Sequence, residues 1–241
     1  MSSNGWAAAN DLFPVFESLA KQQSTLTLSN SYQGIVWFQD SRIMAVNPEF
    51  AVVKVKDCKT FVSPGNHIQL HNTAFSRPVN ATLQDLNYDD GLLFLSGIAY
   101  SDREWQPRYH ERVQPKNPTY AILTFNRRNI RACIENVSMN GQGLLIDKRY
   151  LQDSRIKLAS KVLIKFKLPP AFEWMSLKAS VVNLNIINDS LVRLGIRLHP
   201  NTQESRSLVN YVTGRKQEIL AELDQNCLEK MVTHGVETLY F

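Results

Sequence analysis

Arg108-Tyr-His-Glu-Arg112 sets two guanidinium groups four residues apart, directly after Pro107. Further along, Asn136-Val-Ser-Met-Asn-Gly141 offers an amide, a hydroxyl and a glycine at fixed spacing. A guanidinium fork grips phosphate bidentately and stacks on flat rings. An asparagine can read the hydrogen-bonding edge of a purine, and a glycine lets backbone come close to a ligand. Together, Arg108, Arg112, Asn136, Ser138 and Gly141 can line a pocket for an anionic, base-bearing molecule. Each piece also has a plainer reading. Two arginines after a linker can be solvated charges, and Asn140-Gly141 is the commonest hairpin turn signal, with φ > 0 expected at the glycine.

Other chemistry-bearing residues are set aside. His67 and His71 would share a helical face, but the local pattern is a strand, where four residues span ~13 Å, too far for one metal ion. Cys58, Cys133 and Cys227 are few, odd in number and widely spaced, which fits a reduced cytoplasm and buried thiols, Cys133 in a core strand. Catalytic elbows, P-loops and dinucleotide-binding glycine patterns are lacking, so no catalytic residue is assigned. Asp89-Asp90 precedes Gly91 and reads as a turn. Arg127, Arg128 and Arg131 read as a solvated hairpin loop, or as an extension of an anion site or a contact to nucleic acid.

Hydrophobic residues at 44% and charged residues at 20% describe a globular chain and exclude a disordered one. No apolar run approaches the ~20 residues needed to span a bilayer, and Met1–Asn10 lacks the features of a secretory leader. The charge is lopsided. Residues 1–104 carry 7 Lys+Arg against 10 Asp+Glu, residues 105–241 carry 20 against 12, and the balances of −3 and +8 sum to +5. The half with the paired motif is thus the half that attracts anions.

The elements that must position these residues are mostly strands. A helix is expected from Asn10 or Asp11 to about Gln23, with Pro14 in its first turn. Seven strand-like runs follow: Thr25–Leu28, Gly34–Phe38, Ile43–Val46, Ala51–Val55, His67–His71, Val79–Leu86 and Leu92–Ile98. Tyr100–Pro107 reads as an extended hinge. Six more runs come next: Ala121–Asn126, Arg131–Asn136, Gly143–Ile146, Val162–Leu168, Leu177–Ile187 and Leu191–Leu198. Asn201-Thr-Gln-Glu204 is a capping box opening a helix, which Gly214 should weaken by ~1 kcal/mol against alanine. The reading is mainly β: two antiparallel β-barrel domains, at 1–104 with a leading helix and 105–230 with a closing helix. A tail, 231–241, ends in Glu237-Thr-Leu-Tyr-Phe241, which looks like an engineered protease site and is excluded from functional reading.

The order RxxxR and then [D/N]xSxxG resembles the signature of PilZ domains, from about Gln106 to about Leu223. The first half resembles, in architecture, the N-terminal domain of flagellar-brake proteins. The resemblance implies a cytoplasmic, non-enzymatic receptor for cyclic di-GMP, with no other cofactor and no metal. It implies Arg108 and Arg112 on phosphates and bases, Asn136 on a guanine edge, Ser138 on phosphate or fixing the turn, and Gly141 in the turn. Pro107 stands where many members carry a further arginine, so one such contact is missing. The implied mechanism is a switch in inter-domain arrangement, through order–disorder of Ser101–Val113, controlling motility, biofilm or virulence through a protein partner, with the flagellar motor among the candidates. A PilZ-type adaptor that does not bind the nucleotide stays open, as does a homodimer. Nucleic-acid binding is not expected, since the basic half shows no clear aromatic ladder on its strands.

Overall fold

The computed structural model describes residues 12–61, 66–101, 110–169 and 174–237. The chain is mainly β, with two closed six-stranded antiparallel barrels, a short N-terminal helix and a C-terminal helix. Two compact units are distinguished. One holds the described residues of 1–32, 36–107 and 220–241, and the other those of 33–35 and 108–219.

In the first unit, helix α1 (Leu12–Lys21) precedes strands β1 (Thr25–Tyr32), β2 (Ile35–Val46), β3 (Phe50–Val55), β4 (His67–His71), β5 (Val79–Asn87) and β6 (Leu92–Tyr100). The closed order is β1-β2-β3-β6-β5-β4. Leu12, Phe16 and Leu19 of α1 recur every three or four residues, and all three are buried in the barrel's apolar cluster. Phe16 stacks on Phe75 with centroids 5.3 Å apart. The sequence reads seven strands here and the structure has six. Gly34–Phe38 and Ile43–Val46 are one twelve-residue strand, β2, with a register irregularity between Ile43 and Ala45. The polar run between them is not a break. Ser41 is buried and donates to the Leu26 carbonyl at 2.8 Å, while Asp40 accepts from the Thr27 hydroxyl at 3.0 Å on the outside. His67 and His71 lie on strand β4, and among the described residues no cluster of metal-ligating side chains occurs.

In the second unit, strands β7 (Thr119–Phe125), β8 (Arg128–Ser138), β9 (Gly141–Asp147), β10 (Lys161–Phe166), β11 (Met175–Ile186) and β12 (Leu191–His199) close in the order β10-β11-β12-β9-β8-β7. Alternation drives it: Val162, Ile164 and Phe166 are buried, while Lys161, Leu163 and Lys165 between them are exposed. A short helix, α2 (Lys148–Ser154), is absent from the sequence reading. Asp147 caps it by accepting from the Arg149 amide at 2.9 Å, and Arg155 ends it in the left-handed region at φ 59°. The Arg149 guanidinium and amide beside Asp147 hold its carboxyl down at about 2.

The closing helix α3 (Thr202–Glu237) begins at the expected capping box. The Asn201 amide donates to Glu204 at 2.7 Å, and the Glu204 amide donates back to Asn201 Oδ1 at 2.9 Å. Leu208, Val212 and Ile219 are buried along one stripe, and α3 runs through Gly214 unbroken. Among the described residues no helix is long and apolar enough to cross a membrane.

Candidate functional site

The Asn136–Gly141 run folds as the hairpin joining β8 to β9, in the second unit. Ser138 pairs with Gly141, so Met139 and Asn140 form a two-residue turn. Ser138 is 6% exposed, and its hydroxyl donates to the Gly141 carbonyl at 3.0 Å, holding the turn shut. The sequence expects φ > 0 at Gly141, and the structure corrects this. Gly141 is not among the residues with positive φ. It is required for a different reason: a Cβ there would lie 2.7 Å from the Ile196 carbonyl oxygen of the neighbouring strand. Close approach of β12, not turn geometry, excludes a side chain.

Asn136 sits at a β-bulge. Ile134 pairs with Leu144 and Asn136 with Gly143, so Glu135 is the extra residue. The bulge puts Glu135 and Asn136 side by side on the outer surface. Arg193 of β12 donates to Glu135 Oε1 from Nε at 3.0 Å and from Nη2 at 2.5 Å. The Asn136 amide nitrogen donates to Glu135 Oε2 at 3.3 Å. Among the described residues, Asn136 Oδ1 is buried with no hydrogen-bond partner. The Asn136 side chain lies over Gly143: a Cβ on that glycine would be 2.7 Å from Nδ2, 2.9 Å from Oδ1 and 3.0 Å from Cγ. Asn136 thus points an unused acceptor from a fixed amide, and Gly143 is the floor that makes room for it. Next to Gly143, Gln142 is 4% exposed, and neither of its amide atoms has a partner among the described residues.

The described residues 110–114 come to this hairpin. Val113 forms a two-hydrogen-bond bridge with Val137, each amide donating to the other's carbonyl at 2.9 Å. Arg112, half-buried, is therefore next to the strand that carries Asn136 and Ser138. The Asn140 amide meets His110 Nε2 at 2.8 Å. Lys216 donates to Glu111 at 2.5 Å, and the Gln114 amide donates to the Gln33 carbonyl at 2.8 Å. Arg108 and Pro107 lie outside the described residues.

Sequence reasoning misses Glu135, Arg193 and Arg215. Arg215 is a charged residue inside the apolar stripe of α3, only 4% exposed. Its guanidinium donates to the Gln114 carbonyl at 3.0 Å, to Glu218 at 2.9 Å and to Gln33 Oε1. It thereby fixes the backbone two residues beyond Arg112. Its place at the i+7 position from Leu208 is the one signal available in the sequence. Cys133 also differs from expectation: it is half-buried, because it faces outward between the inward Ala132 and Ile134.

The solved structures similar to this chain include the YcgR–c-di-GMP complex from Escherichia coli, 17% identical, covering 88% of this chain and 92% of that one at a TM-score of 0.43. The inhibitor of motility from Bacillus subtilis is 11% identical, covering 80% and 96% at 0.42. Apo MrkH of K. pneumonia is 13% identical, covering 92% and 98% at 0.42. Among curated proteins none matches the chain. The model of the PilZ domain matches residues 106–214, a span holding both the arginine segment and the β8–β9 hairpin. The chain thus carries a PilZ domain over residues 106–214.

Proposed function

We propose that this protein is a receptor for cyclic di-GMP that binds the nucleotide at Arg108, Arg112, Asn136, Ser138 and Gly141 and acts by binding, not by catalysis. The observation that supports this is the Val113–Val137 bridge, which seats the residue after Arg112 on the strand that carries Asn136 and Ser138. Arg112 and Arg108 take the phosphates and stack on the guanines, each cation–π contact contributing ~0.5–2 kcal/mol. Asn136 Oδ1, buried and unused, accepts from the guanine N–H edge. Ser138 keeps the turn in shape through its bond to the Gly141 carbonyl.

The output is a change in inter-domain arrangement when the segment Ser101–Val113 closes on the ligand. A ligand shifts such an equilibrium only by its differential affinity for the two states. The receptor works in the cytoplasm, and a protein partner in the control of motility or biofilm reads the change. Calorimetric titration with cyclic di-GMP tests the binding. Wild-type protein should saturate, and Arg108→Ala and Arg112→Ala should each lose binding; wild-type affinity in the Arg112→Ala variant defeats the proposal. Small-angle scattering with and without saturating nucleotide tests the switch, and superimposable curves would remove it.

A further inference from the structure

Away from the hairpin, basic side chains outnumber acidic ones on the exposed positions of strands β7, β8, β10, β11 and β12. Strands β7, β10, β11 and β12 contain no aspartate or glutamate, and on β8 the one carboxylate is Glu135, already held by Arg193. Arg131 pairs across the ladder with Ile122, and Ile122 with Lys165. Leu163 pairs with Lys178, and Ser180 with Arg197. Neighbouring strands are ~4.8 Å apart, so Arg131 and Lys165 stand roughly 10 Å from each other across β7. Arg131, Lys165, Lys178 and Arg197 are all exposed, and no ion pair neutralises any of them among the described residues.

The same face carries exposed rings. Tyr120 is 47% exposed with the Arg131 guanidinium 4.0 Å from its centroid. Trp174 is 52% exposed with Lys165 Nζ at 5.4 Å. The sequence does not show this ladder, because Tyr120 and Trp174 are brought onto one face only when β10 pairs with both β7 and β11.

We propose that this face binds single-stranded nucleic acid, with phosphates on Arg131, Lys165, Lys178 and Arg197 and bases stacking at Tyr120 and Trp174. A basic track interleaved with flat rings is the arrangement that holds a single strand without reading its sequence. A protein partner is disfavoured because interface centres are depleted in lysine, whereas Lys165 and Lys178 flank Leu163, the exposed apolar residue in the middle. The proposal goes beyond cyclic di-GMP reception and does not depend on it.

The test is fluorescence anisotropy of labelled oligo(U) and oligo(dT) of about 15 nucleotides, titrated with the full chain. Four neutralised phosphates give a log–log salt slope of about −2.8, hence roughly 50-fold weaker binding at about 200 mM salt than at about 50 mM. Lys165→Glu with Lys178→Glu should cut that slope by about half and weaken binding further, while the thermal midpoint and circular dichroism stay unchanged. Trp174→Ala should weaken binding roughly 5- to 150-fold without changing the slope. The proposal is overturned by oligonucleotide binding insensitive to salt or to these variants. It is equally overturned by binding to poly-glutamate, or to vesicles of phosphatidylserine and phosphatidylcholine, with none to either oligonucleotide.

Discussion

Gly143→Ala should damage ligand binding without touching the ligand. A methyl group there would meet three atoms of the Asn136 side chain at 2.7 to 3.0 Å, distances that real Cβ contacts do not tolerate. The backbone of β9 is fixed by ladders to β8 and β12, so the amide of Asn136 must be the part that moves. It then leaves both Glu135 and the direction in which Oδ1 points. Losing one hydrogen bond to a buried acceptor costs about 1–3 kcal/mol, which is roughly a 5- to 150-fold fall in affinity for cyclic di-GMP. Stability should barely change, because alanine is favoured over glycine in a strand by about 0.5–1 kcal/mol and offsets part of the displacement. Calorimetry measures the affinity, and thermal melting the fold. Asn136→Ala should show a similar loss, and the double variant no more than either single one, since both act through the same amide. A Gly143→Ala protein that binds like wild type, or additive losses in the double variant, would show that the two residues do not act through one amide.

Gly141→Ala should behave in the opposite way, because its Cβ would strike the Ile196 backbone carbonyl instead of a side chain. A loss of about 1–3 kcal/mol is expected, read as a lower urea midpoint. Arg215→Met removes a buried guanidinium from three acceptors, one of them the Gln114 carbonyl, and should cost about 1.5–3 kcal/mol in the same assay. Arg215→Lys should recover little of it, since an ammonium lacks the fork. His71 is partly buried against the Ser29 hydroxyl, and burial holds its imidazole below the ordinary 6.5. The unfolded chain therefore takes that proton more readily. The resulting stability is complete above pH 6.5 and is lost as pH falls through the lowered pKa. Urea melts at about pH 7.5 and about pH 5 should show a smaller acid loss in His71→Gln than in wild type.

The second barrel was legible where its strands alternate, as Lys161–Phe166 does, and where two-residue turns join them, as at β7–β8 and β8–β9. The first differs at β2, where the four polar residues 39–42 read as a break but continue the strand, with Ser41 turned inward onto the Leu26 carbonyl. At the site, the residue types and their order were readable, since Arg112 and Asn136–Gly141 lie within short local motifs. What holds them was not. The bulge at Glu135 depends on how β8 pairs with β9, and Arg193 reaches Glu135 from 58 residues away. Gly141 was recognised as necessary for the wrong reason, because contact with Ile196 exists only once β12 lies beside β9. Arg215 was hidden because a charged residue in an apolar stripe announces no partner until the backbone of Gln114 is beside it.

The proposed function puts cyclic di-GMP against Arg112 and the β8–β9 hairpin. Amide-resolved magnetic resonance during a titration with cyclic di-GMP tests it most directly. Saturable shifts are expected at Arg112, Val113, Asn136, Ser138 and Gly141, including the Asn136 side-chain amide, with one common affinity. Saturating nucleotide that leaves those amides unmoved, or moves residues elsewhere on the barrels instead, would contradict it.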